Sequence, residues 1–524
     1  MARADSGDDN LRLLREQQRQ LDELRRQEQA KPSGGVLPEV AGTAPAMKLA
    51  PDVCLPVDAL RWEGTAPLAA PVRTALTKRY SHRCLGEREL NELLRAANRE
   101  LLRHGYITSR VLLREGAFQE GVLTLTLMTG RVARVQAEGL APAEVRAALP
   151  TIGDAAFNLR DLEQGLDQLN RLASNQVQAE LRPGEQLGES DLVLGNQSTR
   201  RWQGFAGFDN GGSPNTGEWV GNIGLNRDNL IGSGDFWSLA YRRSFSHTPG
   251  ALTQGGSLYA SQPWGYWTGS LSLFLSESEV PIRLPSQTLQ SRTTTVFPSV
   301  RLERVLERDA TGIWSAQLAL SRRATRSLLE GELLDVSSPT NSVAELGLQF
   351  EGLSPWPWGF RLSRSQGLTW FGADRDSAAT AGLPRAQFEK WRLDLHTAYA
   401  AGYWLYQGEG SFQYSPDRLP GAEEVALGDA GSVRGFQAEP VTAPRGGYIR
   451  QTLARQWSRV LQPYAGLDIG RGQTPEGWDW LGSLSLGLRV KARSQALDVS
   501  VSRDWRQQVS PPSPRLMLRY SVSF

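Results

Sequence analysis

The chain has 524 residues, with 58 Lys and Arg against 56 Asp and Glu, and apolar side chains make up 40% of it. That length allows two to four domains, the balanced charge gives no electrostatic case for nucleic acid, and no stretch approaches the ~20 consecutive apolar residues of a membrane helix. A soluble multidomain protein and a transmembrane β-barrel both remain open, because barrel strands turn every second residue toward a polar lumen and escape a hydropathy scan.

Residues 1–10, MARADSGDDN, lack the apolar core of a secretory signal, so an exported protein of this sequence is expected to be a form whose signal is missing. Residues 8–29 read as one helix with Ser6 and Asp8 as caps and a narrow apolar stripe of Leu11, Leu14, Leu21 and Leu24. The rest of its surface is mainly Arg, Glu and Gln, which suits a solvated arm, a weak coiled coil or a rod in a water-filled channel. Residues 31–51 are rich in Pro, Gly and Ala and read as a linker.

Two small α/β modules follow. In the first, residues 56–62, 106–113 and 121–128 read as strands and 70–80 and 87–104 as helices. The second helix sets Leu90, Leu93, Leu94, Ala97 and Leu101 at three-four spacing, enough to cover a three-stranded sheet. Cys54 and Cys84 have no metal-type partners at short spacing, and His82 alone is too little for zinc. The pair reads as a disulfide worth about 3 to 4 kcal/mol, formed in an oxidising compartment, with two buried thiols as the alternative. The second module repeats the pattern with strands at 131–138, 176–181 and 191–194 and helices at 143–148 and 158–172. Leu159, Leu162, Leu166 and Leu169 form its buried stripe, and the charged residues between them read as a solvated face.

From about residue 200 onward helical periodicity gives way to runs of about ten alternating residues. Leu484, Leu486, Leu488 and Val490 alternate with Ser483, Ser485, Gly487 and Arg489, and Leu516, Leu518, Tyr520, Val522 and Phe524 share one face of the last run. Arginines and acids recurring on the inner face suit a wet lumen better than a packed sandwich core. Run starts fall near Trp202, Val220, Phe236, Ser257, Trp267, Thr293, Ile313, Thr325, Val343, Phe360, Phe388, Tyr403, Tyr448, Val460, Leu481 and Ala496, with a further one at Leu516. The stretch 313–334 reads as one long strand or two, and an even total of sixteen is expected. Aromatic residues near the strand ends read as interface girdles.

Late in this region, residues 427–436, LGDAGSVRGF, read as a loop that turns at its glycines and presents Arg434 between Val433 and Phe436. A guanidinium inside a lumen needs a fixed anion, for which Asp468 is the best candidate; a surface turn with a solvated Arg is the alternative. No GxSxG nucleophile elbow and no GxxxxGK[ST] phosphate loop occur, and His82, His104, His247 and His396 have no metal spacing. No catalytic residue, metal site or cofactor is expected.

Several stretches resemble an outer-membrane transporter of the two-partner secretion family, the TpsB proteins. Residues 157–176, with 181–184 and 188–190, are similar to that family's second polypeptide-transport-associated (POTRA) domain, and 105–110, GYITSR, to its first. Phe208-Asp209-Asn210-Gly211-Gly212, with Thr216-Gly217 and Asp228-Asn229, resembles the opening barrel hairpin. Val433, Arg434, Gly435 and Phe436 match the family's inward-folded loop motif, and Gly466-Leu467-Asp468 the wall motif that meets it. The Cys54/Cys84 pair fits the haemolysin-like branch, and Phe524 is similar to the signal read by the barrel-assembly machinery.

The resemblance implies a 16-stranded antiparallel transmembrane β-barrel with an N-terminal plug helix at 1–30, a linker at 31–51, POTRA domains at 52–130 and 131–199, and a barrel at 200–524 with an inward loop at 417–446. It implies export without ATP of one large TpsA-type exoprotein, an adhesin, haemolysin or contact-dependent inhibition toxin, driven by folding of that partner outside. The partner's N-terminal secretion domain is expected to add strands at POTRA sheet edges. Specificity is expected in a groove beside helix 158–172, on Leu159, Leu162, Leu166, Leu169, Asn170 and Asn175. The other expected partners are outer-membrane lipid and lipopolysaccharide, and the assembly machinery. The plug, held by polar and ionic contacts, is expected to leave at little cost. An outer-membrane protein insertase of the same superfamily is the alternative, and a plain diffusion porin would not need the periplasmic modules.

Overall fold

The computed structural model describes residues 6–29, 53–65, 67–149, 153, 155–309, 311–352, 356–377, 383–436, 440–506 and 514–524; the expected linker at 31–51 lies outside the described residues. Helix α1 (Ser6–Gln29) has Asp8 and Asp9 in its first turn and Arg26 in its last, which complements the helix dipole at both ends. At 1.5 Å per residue it is a rod of about 36 Å, long enough to run the height of a barrel.

The first α/β unit forms because its helices and strands each have one apolar face. Helix α2 (Ala70–Tyr80) and helix α3 (Glu87–Arg103) pack on a sheet in which Ala59–Glu63 runs parallel to Val122–Met128, and Val122–Met128 pairs antiparallel with Arg110–Leu112 and Phe118–Gln119. Leu90, Leu93, Ala97 and Leu101 on α3 are buried against Val111, Leu123 and Leu125. The expected strand at 56–62 divides in two. Cys54–Val57 pairs with Arg83–Gly86, and the chain then changes partner where the Asp58 and Ala59 amides donate to the Gly121 carbonyl. The strand expected at 106–113 shrinks to Arg110–Leu112, because Gly105, at φ +84°, starts a turn that the Ile107 and Ser109 amides close. Cys54 and Cys84 form a disulfide across the small second sheet.

In the second unit Arg131–Glu138 runs parallel to Glu189–Asn196, which pairs antiparallel with Val177–Pro183. Helix α4 (Pro142–Ala148) and helix α5 (Leu159–Asn170) cover this sheet, and the Asn158 side chain accepts from the Arg160 amide to start α5. Leu162, Leu166 and Leu169 pack with Val177, Leu192 and Leu194 in a separate core.

Among the described residues sixteen long antiparallel strands, from Trp202–Asp209 to Arg515–Ser523, close into a barrel. Closure runs from Phe205 opposite Ser523 to Asp209 opposite Arg519, and Phe524 extends it by exchanging amide and carbonyl with Gly204 at 2.9 and 2.8 Å. The runs expected to start at Ile313 and Thr325 are one strand, Gly312–Leu329. The alternation between them is unbroken, and the turn comes only at Glu330 and Gly331, both at positive φ. Leu484, Leu486 and Leu516 point out and are exposed, while Ser483, Ser485 and Asp468 face in and are buried. Outward aromatics gather at both rims, where Arg227 stacks over Trp202 at 4.7 Å and Arg471 over Trp478 at 4.3 Å. No described helix is long and apolar enough to cross a membrane, which says nothing of the closed barrel of strands.

Candidate functional site

The loop between barrel strands Trp404–Tyr414 and Gly446–Arg455 folds inward rather than away from the rim. A short hairpin, Val425–Leu427 with Val441–Ala443, carries its tip down the lumen, and Leu427, Val433, Phe436, Val441 and the wall residue Leu481 make an apolar cluster. Gly428 and Gly435, at φ +95° and +94°, supply the turns on either side of the tip. Arg434 reaches the wall as a fork. Its Nε donates to Asp468 Oδ2 at 2.7 Å and its Nη2 to Asp468 Oδ1 at 2.6 Å, and its backbone amide donates to the same carboxylate at 3.0 Å. Two of the three remaining guanidinium hydrogens go to the Gln451 carbonyl and the Thr452 hydroxyl, and Ser483 Oγ also donates to Asp468. Asp468 is 0% exposed, so this charge is compensated entirely by protein. A Cβ on Gly466 would overlap the guanidinium, which explains the gap in the wall side chains at that point.

Helix α1 lies in the lumen with its amino end at the far rim. Ser6 Oγ is 2.7 and 2.8 Å from the hydroxyls of Ser291 and Thr293, and the Asn10 amide donates to the Thr293 carbonyl while its oxygen accepts from Ser276 and Thr295. Ion pairs follow down the rod: Glu16 with Arg242 at 3.0 Å, Arg19 with Asp429 of the inward loop at 2.7 Å, and Glu28 with Arg171 of the second α/β unit at 2.6 Å. Asp429 is itself held by the Gly431 and Ser432 amides, so the loop presents a fixed anion to the helix. The expectation of a helix held by polar and ionic contacts is corrected by the wall. Phe236, Tyr259, Phe274 and Phe297 face inward and bury Leu14 and Leu21. Each of those leucines contributes about 1.5 to 3 kcal/mol of burial, comparable to the ion pairs.

The second α/β unit closes the other mouth. Gln164 and Gln168 donate to the Gly265 carbonyl at 3.1 and 3.0 Å, and Arg308 pairs with Asp167 and with Gln164. Tyr266, in the turn beneath, donates to Asp161, and burial together with that carboxylate holds its phenol above the ordinary value, so it stays a donor. Glu144 of α4 accepts from Asn175 and from Asn229 of a barrel turn, both at 2.8 Å, and the Ser174 amide donates to Asp228. The polar face of α5, expected to be solvated, is therefore its docking surface on the barrel.

The structure brings Val433, Arg434, Gly435, Phe436 and Asp468 together and joins Cys54 to Cys84. It does not bring Leu159, Leu162, Leu166, Leu169, Asn170 and Asn175 to an open groove, and that expectation is corrected. The last three leucines are at most 2% exposed within the core, and Leu159 packs on the same cluster. Asn170 bridges the amide and carbonyl of Val177, and buried Asn175 is bound to Glu144 and the Leu169 carbonyl. All six hold the unit together, because a short helix with one apolar stripe spends that stripe on its own sheet. Phe524 is exposed on the outer surface with its ring over Gly204. Sequence reasoning missed Glu16, Arg19, Glu28, Arg171, Arg242 and Asp429; single charges on a helix or strand carry no local signal of their partner. No group of His, Cys, Asp and Glu among the described residues is arranged to hold a metal.

Comparison with known proteins agrees with this architecture. The model of the haemolysin secretion/activation proteins ShlB/FhaC/HecB matches residues 188–490, that of the ShlB-type POTRA domain residues 55–130, and a further POTRA model residues 131–183. The hemolysin transporter protein ShlB of Serratia marcescens is 31% identical over 96% of this chain and 92% of its own length. The outer membrane transporter CdiB-2 of Burkholderia pseudomallei is 31% identical over 80% of this chain and 73% of its own. Among solved structures, CdiB from Escherichia coli superposes with a TM-score of 0.89 at 26% identity, covering 100% of both chains.

Proposed function

The chain belongs to the haemolysin secretion/activation protein family, and from that premise we propose that it exports one large partner exoprotein through its own barrel, from periplasm to cell surface. It is a two-partner secretion transporter of the outer membrane, and its POTRA domains lie in the periplasm. The family is one of pores, and no catalytic step is assigned to this one. The relatives named as hemolysin and CdiB transporters favour a haemolysin or contact-dependent inhibition toxin as the cargo, with an adhesin as the third member of the expected class.

The observation that carries the reading is a barrel whose lumen is filled by α1, a separate rod tied to the wall, the inward loop and the second POTRA domain by individually breakable contacts. A barrel stopped by a removable part is suited to intermittent passage of something large. We divide the chain into plug at 1–30, linker at 31–51, POTRA domains at 52–130 and 131–199, and barrel at 200–524. Edge strands of the POTRA sheets, among them Ala59–Glu63 and Val177–Pro183, leave backbone groups on which an extended partner can add a strand. Folding of the partner outside then opposes its return without any nucleotide.

Planar-bilayer conductance of the whole chain, with and without residues 1–31, tests this. A small, flickering current that becomes large on deletion is expected. Equal currents would mean that α1 does not stop the pore; the plug reading would fall, and the insertase alternative would gain.

A further inference from the structure

Three parts far apart in sequence meet at the periplasmic mouth. The Glu28 carboxylate, at the end of α1, accepts from Arg171 Nη1 at 2.6 Å and Ser261 Oγ at 2.8 Å through one oxygen, and from the Tyr259 hydroxyl at 2.8 Å through the other. Arg171 caps α5, its amide donating to the Asp167 carbonyl, and its Nη2 donates to the Gly234 carbonyl of a barrel turn at 2.6 Å. The side chains of Arg171 and Glu28 are 5% and 9% exposed, so each is the other's main compensation. The next residue, Leu172, is 1% exposed and belongs to the apolar cluster that holds Leu14 and Leu21 of α1.

We propose that Arg171, with Leu172, is the latch by which the second POTRA domain holds the plug, so that a shift of α5 off the barrel rim unlocks α1. The proposal rests on α1 being a plug and adds what decides when it leaves. The other close ion pairs of α1 join it to parts that a POTRA movement leaves in place: Glu16 to the wall residue Arg242 and Arg19 to the loop residue Asp429. Glu28 alone among these is paired with a residue of the second POTRA domain. If α5 withdraws, Glu28 loses its cation and Leu21 part of its apolar floor. If α1 withdraws, Arg171 loses its anion and α5 holds the rim less firmly. The two events favour each other by the same factor, as linkage requires. A polypeptide adding a strand to the second POTRA sheet would then be read at the plug through α5, with no contact of its own to the lumen.

The test is single-channel conductance of the full chain, scored as the fraction of time in the large-conductance state. Glu28→Gln and Arg171→Gln are each expected to raise that fraction at least ~10-fold, because each leaves its partner as a buried, uncompensated charge. The double variant is expected to open no more than the worse single one, since both charges are then gone. Arg308→Gln loosens α5 on the rim without touching α1 or Arg171, and should raise opening in the parent chain but not in the double variant. Effects of Glu28 and Arg171 that simply multiply, or an Arg308→Gln effect that persists when the latch is cut, would overturn the proposal. Deletion of residues 1–31 separates the two readings. If it opens the pore while Glu28→Gln does not, the plug stands and the latch falls; if the deletion itself leaves the current unchanged, the plug reading falls.

Discussion

Removing Arg434 should free the inward loop without dismantling the barrel. The Asp468 carboxylate, 0% exposed, would retain the residue 434 amide and Ser483 Oγ but lose both charged donors. Stranding a buried charge in this way costs about 3 to 5 kcal/mol, and every 1.4 kcal/mol is a factor of ten. The released form of the loop should therefore be populated ~100-fold more or better in Arg434→Ala. Asp468→Ala, which strands the guanidinium, should behave alike. The double Ala variant should be no worse than the worse single one, because no unpaired charge remains, which makes the coupling at least as large as one single effect, about 3 kcal/mol or more. Val433 is 0% exposed beside Arg434, so a Cys in its place reports release through maleimide labelling of the protein in vesicles. Heat-modifiable migration on gels shows in parallel that the sixteen strands remain closed. Single effects that add in the double variant, or labelling at the parental rate in all three, would refute the idea that this pair holds the loop.

Other consequences are as direct. Gly466→Ala adds a methyl where the guanidinium lies, so it should release the loop in the same labelling assay although no charge changes; parental labelling would show that the guanidinium has another place to go. Leu21→Ala leaves a gap against Tyr259 and Phe236 and removes about 2 to 3 kcal/mol from plug retention, which single-channel recording should show as a ~30-fold rise in open time. Replacing Cys54 and Cys84 by Ser opens a loop with a sequence separation of 30, and should lower the stability of the first POTRA domain by about 3 to 4 kcal/mol in denaturant titration. Phe524→Ala exposes the seam at Gly204, and should reduce the amount of heat-modifiable barrel recovered from outer membranes.

The parts of this molecule that were legible in the sequence are those with a local period. The alternation from residue 200 onward located the strands, and three-four spacing located α3 and α5. The choice left open between one strand and two around Thr325 falls to one, because nothing between Gly312 and Leu329 breaks the alternation. Arg434 and Asp468 were legible because an arginine between apolar neighbours demands an anion. The lumen's aromatic patch was present in the sequence and went unread. Phe274 lies in the phase of Ser272 and Ser276, and Phe297 in the phase of Thr293, Thr295 and Ser299, so both belong to the inner face. Contacts between modules left no such trace. Gln164, Gln168 and Asp167 look like any solvated face until the barrel rim is beside them, and Glu28 and Arg171 are single charges separated in sequence by most of two domains. A four-residue strand such as Arg83–Gly86 is too short to show a period at all.

The proposed plug also has a mechanical character. A rod of about 36 Å enclosed by a wall leaves by sliding along its own axis like a bolt. Its fastenings at Ser6, Glu16, Arg19 and Glu28 are spread along that axis and are short and directional. A travel of ~2 to 3 Å, less than one turn of the helix, puts all of them beyond bonding distance together. The ionic and hydrogen-bonded part of the resistance is therefore concentrated in the first few ångströms, and only the apolar contacts of Leu14 and Leu21 with the wall trail through the rest of the stroke. Small tugs leave the pore shut, and one sufficient pull clears it.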